Sequence, residues 1–337
     1  MRAEIRSHEV SRYADAGGEG NAAAARDVVE TVLADGVPLL IVLRDLIAAA
    51  QTLIGIRWQT GEWSIQQEHA ATATSASIVR NLEQTTTPRR SRGQLVLVAV
   101  GEGEWHSLGA SLLQQSLRMD GWDVVVLPPG TRAGQLASAI HDHGPAAVAI
   151  SCALPALLPG AHRLVMASQD AGTPAIVGGR GFGSDATRAR GLGADGWARD
   201  TVSASATVAA HAGFSRPSLR MTHPAFGEYT TLIRHLPAIT EAIDEAVSTE
   251  TAVDAALWLV RSLASALVCD DPAILHEDVA WHRSRSRVGA PAVDPLLEVI
   301  NASLPLGSTI ASALLTSALE SPPQRGDIVE REAQSAT

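Results

Sequence analysis

A glutamate and a histidine follow an apolar run closely enough to act together on a metal ion. The run QLVLVAV ends at Val100, and the next residues, GEGEWHSLG, place Glu104 shortly before His106. A neutral imidazole nitrogen is a good transition-metal ligand, and a carboxylate that accepts a hydrogen bond from the other ring nitrogen fixes the tautomer and raises the basicity of the ligand. The spacing therefore favours metal ligation by His106, although a lone loop histidine suits an exposed surface position equally well.

Two further apolar runs end in small residues of the kind that let a ligand approach the backbone. The run AAVAIS ends at Ser151 and leads to Ala153 and Leu154, and PAIVGG ends in the pair Gly178 and Gly179. Each ending taken alone is typical of an ordinary turn after a strand. Because such endings follow successive runs, together they favour one shared ligand site.

The elements that must position these loops are predicted from apolar periodicity. Uninterrupted Val, Ala and Ile runs suit parallel strands that are buried on both faces, and the segments between them are long enough for crossover helices. The runs QLVLVAV, DVVVLP, AAVAIS, PAIVGG and GADGWA predict a five-stranded, doubly wound parallel sheet over residues 93–212. Ligands of such sheets bind at the carboxyl ends of the strands, where the loops begin at Gly101, Ser151 and Gly178.

Helical periodicity flanks this α/β domain on both sides. Apolar residues at three- and four-residue spacing predict a four-helix bundle within residues 1–87, with helical segments over 21–34, 37–59 and 64–84. The stretch 85–93 contains Pro, Arg and Gly and is typical of a linker. A separate all-α domain is predicted over 225–320, and we expect disorder in the tail 321–337, which has too few apolar residues to offset its ordering entropy. The predicted fold class is therefore multidomain, α and α/β.

Composition excludes several classes of function. The formal net charge is −10 and the basic residues are scattered, which argues against a nucleic-acid surface. The chain contains no lysine, which excludes Schiff-base chemistry on a lysine side chain. Cys152 and Cys269 are too few for a disulfide framework. No uncharged apolar stretch reaches the roughly 18 residues of a membrane span, and the N-terminus lacks a signal-peptide pattern, so we expect a cytoplasmic protein that binds neither nucleic acid nor membranes.

The order Glu104, any residue, His106, two residues, Gly109, set between a strand and an amphipathic helix, resembles a known cofactor domain. It is similar to the B12-binding domain of methionine synthase, methylmalonyl-CoA mutase and the CarH-type light-dependent regulators. The resemblance implies that cobalamin binds base-off and His-on, with His106 as the lower axial ligand to cobalt and the nucleotide tail passing Gly109 and Ser151. The cofactor-binding residues that it implies are Glu104, His106, Ser107, Gly109, Ser151, Ala153, Leu154, Gly178 and Gly179.

A second signature lies in the helical bundle. Trp58 precedes the adjacent pair Glu68 and His69 in IRWQTGEWSIQQEHAATATS, which resembles the cap that covers the upper face of the corrin in the CarH-type regulators. The resemblance implies an adenosyl group held by indole stacking and by hydrogen bonds to its ribose hydroxyls. A core tryptophan beside a surface Glu-His pair would give the same pattern. The chain departs from those regulators in lacking a helix-turn-helix segment and in having Gln59 where they have a histidine.

The C-terminal helical region resembles a degenerate sensor globin over residues 271–304. A cobalamin domain followed by such a globin resembles the photocobilins, light sensors that pair adenosylcobalamin with a bilin such as biliverdin. The resemblance implies arginine and aromatic partners for the bilin's propionates and rings, although a solvated helix end explains any single arginine equally. The residues considered for a bilin are Trp281, His282, Arg283, Arg285, Arg287 and, for a thioether, Cys269, whose aliphatic neighbours favour simple burial and noncovalent binding.

These resemblances imply a light sensor without enzymatic activity. In such a sensor, photolysis of the cobalt–carbon bond of adenosylcobalamin drives a conformational signal, coupled to biliverdin in the globin-like domain. We expect a homo-oligomer or an unidentified signalling protein as the partner. The alternative is a corrinoid carrier that shuttles methyl groups between methyltransferases. An isomerase subunit is disfavoured, because the sequence contains no barrel domain to hold a substrate over the corrin.

Overall fold

The computed structural model describes residues 4–85, 90–213, 223–286 and 290–321. Its first part is a helical bundle built from α1 (Ser7–Gly18), α2 (Ala22–Ala34), α3 (Leu39–Ile41), a π-helical segment (Val42–Ala48), α4 (Ala49–Gln59) and α5 (Ile65–Thr85). The segments from α3 to α4 are continuous, so the bundle has four helices, as the sequence predicts. Tyr13, Val28, Leu46 and Ile54 are buried at its centre, which explains the three- and four-residue spacing of its apolar side chains.

The five predicted strands form one parallel sheet. They are β1 (Leu95–Val100), β2 (Asp123–Val126), β3 (Ala147–Ser151), β4 (Ala175–Gly178) and β5 (Gly196–Ala198), in the order β2-β1-β3-β4-β5. The helices between and after them are α6 (Leu108–Met119), α7 (Ala133–His143), α8 (Leu158–Asp170), α9 (Thr187–Gly191) and α10 (Thr201–His211). Because helices cover both faces, β1 and β3 are buried along almost their whole length and consist of Val, Ala, Leu and Ile side chains with one terminal serine.

The strand order reverses between β1 and β3, which is the point where ligands of this topology bind. The register aligns Val100 with Ser151 and Ser151 with Gly178. Backbone hydrogen bonds continue this alignment, since Gly101 donates to the Ser151 carbonyl at 2.9 Å and Cys152 donates to the Gly178 carbonyl at 3.0 Å. The three loops that the sequence predicts to bind ligand therefore begin side by side at one edge of the sheet.

The C-terminal part of the chain is helical, with α11 (Pro224–Ala246), α12 (Glu250–Cys269), α13 (Ala273–Ser286), α14 (Val293–Ala302) and α15 (Thr309–Glu320). Helix α12 contacts the other four and also packs on α8 and α9 of the α/β domain. One hydrophobic cluster contains both Leu97 and Val177 of the sheet and Leu263 of α12. This differs from the separate helical domain that the sequence predicts, because these helices share a core with one face of the sheet.

Two close contacts hold the C-terminal helices to the α/β domain. The Arg188 guanidinium is 9% exposed and donates to Asp271 and Glu277, each at 2.8 Å. A Cβ atom on Gly191 would overlap the backbone carbonyl of Cys269. The two segments therefore meet backbone to backbone, and a buried guanidinium with two carboxylate partners fixes their relative position.

Some predictions for this half of the chain lie beyond what the structure describes. The tail from residue 322 onward and Arg287 fall outside the described residues. The globin-like arrangement over 225–320, the disorder of the tail and the boundaries between domains stay predictions.

Two helical stretches reach the length and hydropathy of membrane spans. They are Leu39–Gln59 and Glu250–Cys269. In the second, 61% of the apolar window is buried inside the protein, as in the core helix of a globular domain. The first carries the adjacent charged pair Arg44 and Asp45 and forms part of the bundle. The cytoplasmic location stays a prediction.

The backbone contact at Gly191 gives a first testable prediction. Gly191→Ala forces α9 away from Cys269, and we expect it to destabilise the protein by about 1–3 kcal/mol, the usual cost of overpacking a core. Urea unfolding followed by circular dichroism measures the change. Gly227→Ala on α11 is the matched control, because a Cβ there meets no atom within 4 Å and alanine is the better helix former. Equal stability of Gly191→Ala and the natural protein would contradict the contact.

Candidate functional site

The loop after β1 is organised around the carboxylate of Glu104. This side chain is fully buried, and its Oε1 accepts hydrogen bonds from the backbone N–H of His106, at 3.0 Å, and from the His106 ring at Nδ1. Its Oε2 accepts from the backbone N–H of Ala153, in the loop after β3, at 3.1 Å. One carboxylate therefore joins the two loops at the point where the strand order reverses.

These hydrogen bonds determine the charge state of the pair. Burial is the largest influence on the pKa of Glu104 and would raise it, but the hydrogen bonds from His106 and Ala153 outweigh burial and lower the pKa below its usual value. The hydrogen bond to Glu104 raises the pKa of His106 against the opposing effect of burial, and the charge of Glu68 raises it further. Glu104 is therefore ionised, and the proton on Nδ1 of His106 is held by it.

The other ring nitrogen of His106 is free to bind a metal. The side chain is 58% exposed, although its carboxylate partner is completely buried. With Nδ1 donating to Glu104, the neutral ring keeps its lone pair on Nε2, on the side away from the carboxylate. This is the arrangement of a metal-bound histidine with an outer carboxylate partner. The structure thus brings together the two residues that the sequence selects.

The remaining lower-side residues line the same edge of the sheet. Ser107 precedes α6, Gly109 lies in its first turn, and a Cβ on Gly109 would sit 3.0 Å from the Ser151 Oγ. Gly178 ends β4, and Gly179 adopts a φ of +103° with the position of its missing Cβ 2.5 Å from the Cys152 carbonyl. Only glycine adopts this backbone without strain. The three loops therefore pack closely at one edge of the sheet, where Gly109 and Gly179 are exposed; we call this edge the cradle.

A tight contact from below, which sequence reasoning missed, supports the cobalt loop. We call residues 101–107 the cobalt loop. A Cβ on Gly160, in the first turn of α8, would overlap the backbone of Glu102 in this loop. Glu102 and Glu104 are two residues apart in this loop. Helix α8 holds Glu102, and the loop after β3 holds Glu104. In the sequence, this contact corresponds only to a glycine after Pro159 at the start of a helix. Such a glycine does not by itself indicate a contact with another loop.

Glu68, in the first turn of α5, acts on His106 through its charge, which raises the pKa of the imidazole. Glu68 Oε1 accepts from the Thr72 hydroxyl at 3.0 Å, and the same hydroxyl lies 3.1 Å from Gln51 Oε1. Gln51 donates to Ser75, which also accepts from Tyr13. Gln51 and Thr72, missed in the sequence, therefore orient Glu68 through a chain that ends in the bundle core.

The other two cap residues have different environments. His69 has a side chain that is 72% exposed, with Nε2 3.4 Å from Glu68 Oε2. Trp58, at the end of α4, is half-buried and contacts the C-terminal helices: its ring lies 5.9 Å from the Trp281 ring, and the Arg285 guanidinium carbon lies 5.5 Å from its centroid. The alternative of a tryptophan in the bundle core is thus not what the structure shows, because Trp58 lies at the contact between α4 and α13.

The residues considered for a bilin separate into two groups. Trp281 and His282 are in edge-to-face contact, with centroids 4.6 Å apart, and lie beside Arg285 at the Trp58 contact. Arg283 instead pairs with Asp294 at 2.8 Å and donates to the Ser321 and Leu319 carbonyls, so its fork is already occupied. Cys269 is 2% exposed, and burial raises the pKa of its thiol. Burial of the thiol argues against a thioether, and Arg287 lies outside the described residues.

A corrin-bound metal fits the lower site better than a free ion does. Within the described part of the chain, no group of three or more His, Cys, Asp and Glu side chains is placed to hold a metal ion. His106 offers one nitrogen, and a macrocycle would supply the other ligands that a metal at this position needs. The cradle lies beside it, at the edge of the sheet along which the tail of such a cofactor would pass.

Comparison with known domain families gives two matches. Residues 94–206 match a family model described as a B12 binding domain, and residues 10–83 match a second model with the same description. The first match contains the cobalt loop, and the second contains the whole cap signature. A search of curated protein sequences gave no match to this chain.

Solved structures with a similar fold include corrinoid proteins. The monomethylamine corrinoid protein of Methanosarcina barkeri matches with a TM-score of 0.50 and 18% identity, over 60% of this chain and 97% of that chain. A novel cobalamin-binding protein from Desulfitobacterium hafniense DCB-2 matches with a TM-score of 0.33 and 20% identity, over 60% of this chain and 98% of that chain. The methanol:cobalamin methyltransferase complex of Methanosarcina barkeri matches with a TM-score of 0.32 and 16% identity, over 64% of this chain and 83% of that chain. The first likeness shows a shared fold.

The arrangement of Glu104 and His106 predicts distinct results for two substitutions. With the histidines of the protein labelled with 15N, we expect bound cob(II)alamin to show a two-line nitrogen splitting in its electron paramagnetic resonance spectrum, and we expect His106→Ala to remove that two-line splitting. Glu104→Gln retains the ligand but loses the charged partner of both His106 and Ala153, so we expect the affinity for hydroxocobalamin to fall about 10-fold to 100-fold, the range found for outer-shell partners. His143→Ala, an exposed histidine on α7, is the control. A two-line splitting retained in the 15N-histidine-labelled His106→Ala protein would exclude His106 as the ligand, whereas a three-line splitting would come from the cofactor's own base.

A buried carboxyl group beside Trp258 predicts a pH dependence of stability. Burial raises the pKa of Asp278 to about 6, although Ser262 and Trp258 donate hydrogen bonds to it. Since the folded pKa lies above the unfolded value, its contribution to stability is complete below about pH 4 and is lost as the pH rises through 6. Asp278→Asn removes this loss of stability at high pH, which amounts to about 3 kcal/mol when the folded pKa lies about two pH units above the unfolded value.

The measurement for Asp278 is the midpoint of thermal unfolding between pH 4 and pH 8. The difference between Asp278→Asn and the natural protein should grow in favour of the variant as the pH rises. Asp254→Asn, exposed on the neighbouring α12, controls for the change in net charge. A difference that is independent of pH would show that the Asp278 carboxyl group has an ordinary pKa.

Proposed function

Since the bundle and the sheet are B12-binding domains and the chain binds cobalamin, we propose that it is a light sensor that uses adenosylcobalamin. When bound, this cofactor supplies a weak cobalt–carbon bond that visible light breaks. The protein's own residues hold the cofactor from two sides and pass a change at the upper face to the C-terminal helices. The observation that carries the proposal is the contact of Trp58 with Trp281 and Arg285.

On the lower side, the residues present one nitrogen and keep its proton in place. Glu104 accepts the Nδ1 proton of His106, so that Nε2 is presented to cobalt as a neutral ligand. The link from Glu104 to Ala153 fixes the separation of the loops between which the nucleotide tail would lie. Ser151 offers a hydroxyl in this cradle, and the Gly178–Gly179 turn packs closely on the loop after β3 beside the place proposed for the cofactor's base.

On the upper side, the residues suit a ligand that carries hydroxyl groups. Glu68 is a carboxylate whose Oε1 is oriented by Thr72, and it is able to accept hydrogen bonds from the ribose of an adenosyl group. Trp58 offers an indole face for an adenine ring. Gln59 replaces the histidine of the resembled regulators, so an upper histidine ligand after illumination would have to be His69, whose side chain is exposed.

The signal proposed here passes through the packing of α4 against α13. Trp58 lies at the end of the cap helix and is held by a ring and a guanidinium of α13. Tight aromatic packing has discrete arrangements, so loss of the upper ligand that Trp58 contacts would shift Trp281 with it. The same helix then moves in the core that it shares with α12.

The C-terminal helices are further proposed to hold biliverdin at this contact. Trp281, His282 and Arg285 are the remaining candidates near Trp58, because Arg283 pairs with Asp294 and Cys269 is buried. Burial lowers the pKa of His282 to about 4, so it is neutral at physiological pH and is suited to hydrogen bonding with a pyrrole or carbonyl group. The partner that receives the signal is proposed to be a second copy of the chain or another signalling protein.

A second function, a corrinoid carrier for methyl transfer, is favoured by the fold it shares with the monomethylamine corrinoid protein. A carrier must uncover the upper face of the corrin to its methyltransferase partner, which requires the cap to leave. In this chain α13 holds the end of the cap helix through Trp281 and Arg285. A carrier role would therefore also require these contacts to break.

The absorption spectrum tests the proposed function directly. The protein is mixed in the dark with adenosylcobalamin and biliverdin, and spectra are taken after green and then red light, beside His106→Ala. We expect both chromophores to bind and respond in the natural protein, and the corrin response to change in the variant. A corrin that binds but does not respond to light, with cycling between Co(I) and methyl-Co(III) in the presence of a methyltransferase, would establish the carrier instead.

The Trp58 contact predicts a variant that separates photochemistry from signalling. In Trp281→Ala we expect the light-induced change in corrin absorption to remain, since no lower-side residue is altered. The light-induced change in hydrogen exchange of the α12 and α13 amides should fall strongly, because Trp58 loses its partner. Leu306→Ala, fully exposed in the loop between α14 and α15, should behave as the natural protein. An unchanged exchange response in Trp281→Ala would place the signal on another path.

A further inference from the structure

We propose that the C-terminal helices control how firmly His106 ligates cobalt, by holding the cobalt loop from below through Tyr229 and Arg163. Arg163 acts as a positioning residue and does not touch the cofactor. The inference needs His106 to be the cobalt ligand, but it does not need the protein to sense light.

The first link joins the cobalt loop to α8. Arg163 Nε donates to Glu102 Oε2 at 2.8 Å. The backbone of the same residue, Glu102, lies against Gly160, one helical turn earlier on α8. Helix α8 therefore holds Glu102 by both its side chain and its main chain. Since Glu104 follows two residues later and grips the His106 ring, the position of Glu102 determines where the loop presents the imidazole.

The second link joins α8 to the C-terminal helices. Tyr229 of α11 is 6% exposed and belongs to the hydrophobic cluster shared with the sheet. Burial raises the pKa of its phenol, while the charge of Arg163 and a hydrogen bond with it act in the opposite direction, and Glu102 is close enough to raise it further. Tyr229 therefore lies near Arg163, which holds Glu102, and it packs on His162, the residue next to Arg163.

Aromatic packing fixes α11 against α8 at this place. The His162 ring is in edge-to-face contact with Phe226, at 5.5 Å, and with Tyr229, at 6.1 Å. His162 is 5% exposed, and its Nδ1 lies 3.3 Å from the Leu192 carbonyl. The residue next to Arg163 is therefore immobilised in the core, and so is Tyr229. A shift of α11 would carry the guanidinium with it.

The role of Arg163 is orientation and not stability. Its side chain is 43% exposed, and exposed ion pairs contribute little to the free energy of unfolding. Without Arg163, Glu102 keeps its place in the chain, but its side chain is free to turn. The loop then presents His106 in a wider range of positions, and the ligand binds more weakly.

Linkage makes the coupling reciprocal. If the C-terminal helices restrict the loop, then a ligand on His106 that restricts the loop must stabilise α11 against local opening. The prediction is that hydroxocobalamin slows amide hydrogen exchange around Tyr229. The route from below is distinct from the Trp58–Trp281 contact above, so both faces of the site bear on the same set of C-terminal helices.

The test compares Arg163→Met, Arg163→Lys and Tyr229→Phe with the natural protein, all with hydroxocobalamin. We expect Arg163→Met to lower the affinity about 10-fold, in the range of outer-shell partners, and to broaden the nitrogen splitting of bound cob(II)alamin. Arg163→Lys should recover part of the affinity and part of the sharp splitting, because it keeps a positive charge beside the Glu102 carboxylate. Tyr229→Phe should change the affinity and the splitting in the same direction as Arg163→Met, by a smaller factor. Arg234→Met, exposed on α11, is the control.

Hydrogen exchange distinguishes positioning from a general loss of structure. The slowing of exchange around Tyr229 on addition of hydroxocobalamin should be lost in Arg163→Met, while the far-ultraviolet circular dichroism of the free protein stays unchanged. If Arg163→Met does not fold, Tyr229→Phe provides the same comparison. Affinity, nitrogen splitting and exchange equal to those of the natural protein in the folded variants would overturn the inference.

The outcomes also separate this inference from the proposed function. An altered nitrogen splitting in Arg163→Met together with no response to light upholds the inference and removes the sensor. A response of the natural protein to light, together with an affinity, nitrogen splitting and hydrogen exchange that do not change in the variants, upholds the sensor and removes the inference. No nitrogen splitting in the natural protein would overturn the inference and the assignment of His106 together.

Discussion

The hydrogen bonds of one buried carboxylate organise the site. Glu104 is completely buried and ionised, which is costly unless every lone pair is used. It satisfies this need with the His106 ring, the His106 backbone and the Ala153 backbone. These same bonds set the tautomer of His106 and the separation of the loops after β1 and β3. The hydrogen bonds that stabilise the buried charge of Glu104 are thus the same bonds that orient the imidazole of His106 as a ligand.

The parts of the molecule around this carboxylate meet through small residues. Gly160 lets α8 approach the cobalt loop, and Gly191 lets α9 approach Cys269. A side chain at either place would displace main-chain atoms, which do not move as flexible side chains do. The α/β domain and the C-terminal helices can therefore share one hydrophobic cluster, and a change in one is felt in the other because a close-packed interior transmits strain.

The C-terminal helices reach the site from both sides. Above it, α13 contacts Trp58 at the end of the cap helix. Below it, α11 contacts Arg163, which holds Glu102 of the cobalt loop. A protein that converts the state of a cofactor into a change of shape requires contacts of this kind, and they are the physical ground on which we propose the sensor.

The sequence by itself determined the elements and the local pair, and only the tertiary structure decided what these residues contact. The strands, the bundle helices and the Glu104–His106 pair were predictable because apolar periodicity and two-residue spacing are local properties of the chain. The hydrogen bond of Glu104 to Ala153, the orientation of Glu68 by Thr72 and Gln51, and the contact of Trp58 with Trp281 join distant segments, so no local pattern contains them. Arg283 was a candidate for a ligand until the fold brought Asp294 to it. These long-range contacts depend on how helices pack against a shared core, which is why the ligand type could be inferred from the sequence and its control could not.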